Sequence, residues 1–299
     1  MTVRGAGRGY LLVLGAAAAW STSGLFIRWT VASGGLSALS LAFWRDLTTA
    51  ASLFLGLALL RRKWLRVERR DLPWLAGLGI IGVGTFHVLW NLAILRLGYA
   101  AATVILYSAP VFVTVMAWLI WREPLTWPKI AAIVMTLTGC ILVAGLEKLA
   151  GTELTAGGLI LGLSAALTYG SFSLFGRGLT GRYSPWTILT YGFVFGTLTL
   201  LPFQFGIEQP WPVPAETWLW FAGLVYVATI TPFAAYLTGL IYLPVSVASI
   251  LAASEVVFAA LIGYVVFDEQ LQGWQPVGAA LVVGGVILLA TRTSQPTGK

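Results

Sequence analysis

Runs of roughly 20 mostly apolar residues recur along this chain, and that is the length an α-helix needs to cross the hydrocarbon core of a bilayer. About ten such runs fit, separated by short polar breaks that leave no stretch for a soluble domain. They fall at residues 9–30, 37–60, 72–95, 100–121, 128–146, 157–176, 185–206, 217–242, 245–267 and 276–291. Of the 299 residues 58% are apolar and 10% charged, whereas about a quarter of an ordinary soluble domain is charged. The expected fold is therefore an all-α polytopic membrane protein of ten transmembrane helices. The first run starts like a signal peptide, with Arg4 and Arg8 ahead of Ala16 to Ala19. It continues through Leu25, Phe26 and Ile27, and so is expected to stay as a first helix.

The net charge of +7 would suggest nucleic acid in a soluble protein. In a membrane chain it reflects cytoplasmic loops, and no nucleic-acid partner is expected. Arg61, Arg62, Lys63, Arg66, Arg69 and Arg70 form the densest basic loop. With that loop in the cytoplasm, ten crossings put both termini there too, together with Arg4, Arg8, Arg122, Lys129, Arg177, Arg182, Arg292 and Lys299. Glu147, Glu153, Glu208, Glu216, Asp268 and Glu269 then lie on the opposite side. A single Cys140 rules out an internal disulfide, and a single His87 rules out a two-histidine metal site; no metal or cofactor is expected.

Sliding the second half of the chain on the first pairs Trp74 with Trp220, Gly77 with Gly223, Phe112 with Phe258, Glu123 with Glu269, Leu125 with Leu271 and Gly139 with Gly285. Roughly sixteen identities between Trp74 and Ala144 share this one offset. Nearby offsets pair Leu25, Phe26 and Arg28 with Leu174, Phe175 and Arg177, and Trp20 with Tyr169. The chain thus reads as two five-helix units, residues 1–150 and 151–299. An odd number of crossings per unit turns the second copy upside down, the arrangement on which alternating-access transporters are built.

Each unit carries an apolar run ending in an acidic residue near Leu: Ala109-Pro110-Val111-Phe112 to Glu123-Pro124-Leu125, and Glu255-Val256-Val257-Phe258 to Glu269-Gln270-Leu271. This pattern resembles the EamA-type repeats of the drug/metabolite transporter superfamily. The aromatic richness and the histidine of the third helix are similar to the bacterial exporters of aromatic and other neutral amino acids. The resemblance implies a multi-pass protein of the bacterial inner membrane with a central cavity lined by helices one, three, four, six, eight and nine, helices five and ten being peripheral. It also implies a small-molecule substrate and no enzymatic activity. Val256 stands where the first unit has Pro110, so the second helix is expected to lack the proline bend.

His87 and Asn91 lie four residues apart on one helix face beside Trp90, and ionisable groups at membrane depth usually face a cavity. They are expected to hydrogen-bond a polar substrate group. Glu255, after Ser249 and Ser254 in the ninth helix, is a second buried charge, suited to a substrate ammonium or a buried Arg as partner. Trp20, Trp90, Tyr107, Tyr169 and Tyr236 are expected to supply aromatic walls, while Trp64, Trp74, Trp127, Trp211, Trp218 and Trp274 belong to interfacial belts. Pro110 and Pro232 interrupt membrane segments and are candidate hinges. Arg45 and Asp46, adjacent and so pointing apart, are expected to snorkel and anchor a helix end.

Gly77-Leu78-Gly79-Ile80-Ile81-Gly82 spells a dinucleotide fingerprint but sits inside an apolar run of membrane length, so it is read as a helix contact, as are Gly158/Gly162 and Gly192/Gly196. Intramembrane serine chemistry would need Ser108, Ser173 or Ser254 brought to His87, and no G-x-S-x-G elbow exists. A nucleotide sugar would call for several cavity Lys or Arg, which are missing. Lipophilic cations remain a rival substrate class because of Glu255.

Overall fold

The computed structural model describes residues 3–145, 154–207, 213–270 and 272–293. Glu147, Glu153, Glu208, Trp211, Leu271 and Lys299 lie outside the described residues. Among the described residues nine helices are long and apolar enough to cross a membrane: α1 (Gly5–Gly34), α2 (Ala38–Leu60), α3 (Arg69–Leu97), α4 (Tyr99–Trp121), α5 (Trp127–Ala144), α6 (Ala156–Leu179), α7 (Pro185–Gln204), α8 (Ala215–Gly239) and α9 (Val245–Phe267). A shorter apolar helix, α10 (Gln275–Thr291), follows. Leu11, Leu59, Leu95, Leu198 and Leu261 point outward from the bundle, where a water-soluble protein would carry charge.

Polar side chains set the helix starts. Ser37, Thr155 and Ser184 each accept a backbone N–H three residues on, satisfying donors that have no partner within the helix. Glycine sets the closest crossings. A Cβ on Gly79 of α3 would stand 2.4 Å from the Gly192 carbonyl oxygen of α7. A Cβ on Gly139 of α5 would stand 2.6 Å from the Gly278 oxygen of α10. Both are approaches that only a missing side chain permits, and the dinucleotide-like glycines of α3 therefore serve packing.

The helices are interrupted, and the interruptions recur 146 residues apart. In α4 the helix stops at Leu106 and restarts at Ala109; in α9 it stops at Ala252 and restarts at Glu255. The expectation that α9 lacks the bend is thus corrected: the break is there without a proline. Ser108 Oγ donates to the Ile105 carbonyl and Ser254 Oγ to that of Leu251, both at 2.7 Å, so a serine at matching positions competes with the helical ladder. Pro110 adds only a residue suited to the first turn of the restarted helix. Likewise α3 and α8 each contain a π-helical stretch, Ile80–Thr85 and Gly223–Ile230. Pro232 stands in the first turn after the second of these. In the first helix, α1 breaks at Thr22, where Ser21 and Thr22 hydroxyls bond the Ala18 and Ala19 carbonyls.

One end of the bundle is tightly tied. Asp71 accepts from Arg182 Nη1 at 2.5 Å and from the Tyr183 hydroxyl at 2.7 Å. Arg177 Nη1 donates to the Leu240 carbonyl at 2.5 Å, and Tyr191 OH to that of Leu65 at 2.7 Å. Beyond the end of α4, the Glu123 carboxylate accepts from the first two amides of α9, Val245 N at 3.0 Å and Ser246 N at 3.4 Å, and from the Ser246 hydroxyl. Lys129 completes that site at 3.4 Å. The basic loops around Arg61, Arg122 and Arg182 all belong to this end.

Candidate functional site

A cavity of about 290 Å³ lies within the bundle, lined from α1, α2, α3, α4, α6, α8 and α9. The helix breaks bring it into being. Tyr107 sits in the α4 break, Glu255 at the restart of α9, and Phe86, His87 and Trp90 follow the π-helical stretch of α3. Trp20 packs edge-on to Phe233 with centroids 5.0 Å apart and lies 5.3 Å from Tyr236, whose hydroxyl shares a 2.7 Å hydrogen bond with Ser173 Oγ. Phe86 meets Tyr169 at 5.1 Å, and Trp90 meets Tyr99 at 6.1 Å. A mostly aromatic wall with a few polar groups is the usual make-up of a small-molecule site.

Of the residues singled out in the sequence, Trp20, His87, Trp90, Tyr107, Tyr169, Tyr236, Glu255 and Pro110 all border this one cavity. Asn91 and Pro232 do not. Asn91 turns its Nδ2 back to the His87 carbonyl at 2.7 Å, closing a bond within its own helix. Trp64, Trp74, Trp127, Trp218 and Trp274 are exposed near helix ends, as interfacial belts require.

The reading of Arg45 and Asp46 as a snorkelling anchor is corrected. Asp46 has 0% of its side chain exposed and Arg45 16%. Arg45 Nε donates to Asp46 Oδ1 at 3.2 Å, its Nη2 closes on His87 Nε2, and His87 Nδ1 lies 3.0 Å from Asp46 Oδ2. Arginine can only donate, so Nε2 is the acceptor and the ring proton sits on Nδ1, facing Asp46. Adjacent side chains do diverge from a helix, but arginine is long enough to fold back, and His87 of α3 supplies the third corner. The opposite charges of Arg45 and Asp46 permit their burial. The signal was already in the sequence, because two ionisable residues inside an apolar run mark a functional site by default.

Glu255 borders the cavity near Tyr107 and Tyr169, and among the described residues no basic side chain pairs with it. None of the three candidate serines is hydrogen-bonded to His87: Ser173 is engaged by Tyr236, while Ser108 and Ser254 bond carbonyls of their own helices. Among the described residues no group of three His, Cys, Asp or Glu is placed to hold a metal ion. A second hollow of about 370 Å³, between α2 and α8, is lined by Leu36, Trp44, Thr48, Val213, Thr217, Trp218 and Phe221 and offers no charged group.

The model of the EamA-like transporter family matches residues 7–145 and again residues 156–291. The chain belongs to the EamA-like transporter family. It is 31% identical to an uncharacterized transporter of Archaeoglobus fulgidus, over 70% of this chain and 75% of that one. At 27% identity, over 92% and 90% of the two chains, it is similar to a probable terminal-alkyne amino-acid exporter of Streptantibioticus cattleyicolor. It is also 25% identical, over 95% of each chain, to the inner membrane transporter YicL of Salmonella typhimurium. A solved crystal structure superposes with a TM-score of 0.78 at 22% identity, covering 96% of this chain and 99% of the other, which establishes the likeness of fold. As a member of this transporter family the protein is a multi-pass membrane protein with a small-molecule substrate, and not an enzyme. Among the described residues the cavity-lining set contains the six helices that the family resemblance implied, with α2 added through Arg45.

Proposed function

We propose that this protein exports small neutral amino acids, preferentially aromatic ones, from the cytoplasm of a bacterium across its inner membrane. The two halves, residues 1–150 and 151–299, act as inverted repeats that rock about the cavity, with both termini in the cytoplasm. The observation that carries the reading is the cavity itself: aromatic rings for the side chain, and polar groups of both signs, Arg45 with His87 and Glu255, for the zwitterion. Rings also attract a substrate ammonium through their faces. The amino-acid exporter among the relatives supports this substrate class.

The two ends of the bundle support alternating access. Glu123 is bound to the start of α9, whereas among the described residues Glu269, its counterpart 146 residues on, pairs only with Arg28, at 3.9 Å with both side chains 62% exposed. Neither start is capped by its own N-cap residue, Gly98 for α4 and Pro244 for α9, and among the described residues no side chain takes the place of Glu123 at the start of α4. One end is thus latched and the other loose, the asymmetry expected of one state of a two-state carrier. Pro110 and Pro232, each opening a helix just past a break, are where bending concentrates.

Uptake of radiolabelled tryptophan into proteoliposomes, with and without an imposed pH gradient, tests the reading in wild type and His87→Ala. Saturable uptake by wild type and its loss in the variant are expected. No transport or binding of tryptophan, phenylalanine or tyrosine by the pure protein would overturn the substrate class. Glu255 without a basic partner favours lipophilic cations as the second reading, and competition by tetraphenylphosphonium without competition by tryptophan would select it.

A further inference from the structure

Arg45 borders the cavity with a guanidinium fixed on two of its three nitrogens. Nε is held by Asp46 and Nη2 by His87, while Nη1 has no hydrogen-bond partner among the described residues. Fixing Nε and one edge of Nη2 stops the planar fork from rotating and leaves its outer edge, with the Nη1 hydrogens, turned from those partners. A guanidinium so placed is a preorganised donor site for a planar oxyanion.

The charge around it selects the anion. Asp46 neutralises Arg45 at contact distance, His87 adds no second cation while it accepts from Arg45, and among the described residues no other Lys or Arg borders the cavity. Because Asp46 already offsets Arg45, a dianion such as a phosphate monoester would leave two uncompensated charges in this site and a carboxylate only one. A carboxylate brings one delocalised charge and two coplanar acceptors. We propose that Arg45 is the residue that reads the substrate carboxylate, and that Asp46 and His87 are positioning residues that aim its guanidinium. This deepens the amino-acid reading above and rests on it.

The test compares ligands from which the carboxylate and the ammonium are removed one at a time. Binding of tryptophan, tryptophanamide and indole-3-propionate to the purified protein in detergent is measured by calorimetry for wild type, Arg45→Gln, Arg45→Lys and Asp46→Asn. A desolvated charge-assisted contact predicts a tryptophan preference over the amide of about 10- to 100-fold in wild type. That ratio should fall to about 1 in Arg45→Gln, and be reduced but not abolished in Arg45→Lys, which keeps the charge and loses the fork. Asp46→Asn should narrow it as well, because the fork is no longer held. A merely structural arginine would weaken both ligands together and leave the ratio unchanged, and that result overturns the proposal. So does a wild type that binds tryptophan and its amide alike. If wild type binds neither tryptophan nor the amide but does bind indole-3-propionate, and Arg45→Gln does not, the amino-acid reading fails while the carboxylate site stands. If indole-3-propionate is ignored too, both fall.

Discussion

Removing the Glu123 carboxylate should release the latched end of the bundle. The first amides of a helix have no acceptor within it, so the protection of Val245 N and Ser246 N reports on Glu123 alone. The carboxylate is 13% exposed, and its partner Lys129 is 9% exposed, so solvent compensates little. A hydrogen bond to a charged group contributes roughly 1.5–3 kcal/mol. The 3.0 Å contact to Val245 N and the bond from the Ser246 hydroxyl are the strong ones; the two at 3.4 Å add less. Counting the strong pair at the low end gives about 3 kcal/mol for Glu123→Ala, or about 10²-fold in an opening equilibrium. Hydrogen–deuterium exchange with overlapping peptides across residues 243–250 should therefore lose about two orders of magnitude of protection at the start of α9. Glu269→Ala is the internal control: its exposed 3.9 Å pair with Arg28 is of the kind that contributes about 0–1 kcal/mol, so protection at the matching start of α4 should change by less than about fivefold. Unchanged exchange at Val245 and Ser246 in Glu123→Ala, or equal effects of the two substitutions, would refute the latch.

Asp46→Asn leaves Arg45 buried without its counter-charge and should cost about 3–5 kcal/mol, read as a lowered unfolding midpoint in detergent. Gly139→Ala places a methyl group against the Gly278 oxygen and should destabilise the α5–α10 crossing by about 1–3 kcal/mol in the same assay, while Gly56→Ala, with open space around it, should be neutral or slightly stabilising. Ser254→Ala removes the competing hydroxyl and should raise exchange protection across the α9 break more than Pro110→Ala does across the α4 break, if serine rather than proline makes these interruptions. Tyr236→Phe breaks the 2.7 Å bond to Ser173 and should weaken tryptophan binding by less than about tenfold while leaving the fold intact by circular dichroism; a larger loss would mean the hydroxyl itself contacts the ligand.

Much of the site was legible because its residues break a local rule. His87 and Glu255 are ionisable groups in apolar runs, and Trp20, Tyr107, Tyr169 and Tyr236 are aromatics away from the interfaces; all six border one cavity. Asn91 does not border the cavity: spacing puts it on the His87 face, but its amide finds a carbonyl one turn back, and only the local geometry decides between that bond and the cavity. Arg45 and Asp46 read as a snorkelling pair because adjacent side chains diverge from a helix, while the His87 that closes the buried triad lies 42 residues from Arg45, on α3. Pro110 marks the α4 break in the sequence, yet α9 breaks at the matching place with Ser254 and no proline.

The sequence by itself determined the helices and the recurrence between halves. Length and hydropathy are properties of contiguous segments, lipid admits little except helices, and the recurrence is written in identities such as Trp74 with Trp220 and Glu123 with Glu269. The tertiary structure alone decided which charges pair, which end is latched and where the cavity lies. Glu123 finds its amides 122 residues on, and Ser173 finds Tyr236 63 residues on. Such contacts depend on how whole helices cross, and crossings are set by glycines packing against carbonyls in other segments, which no stretch of sequence contains on its own.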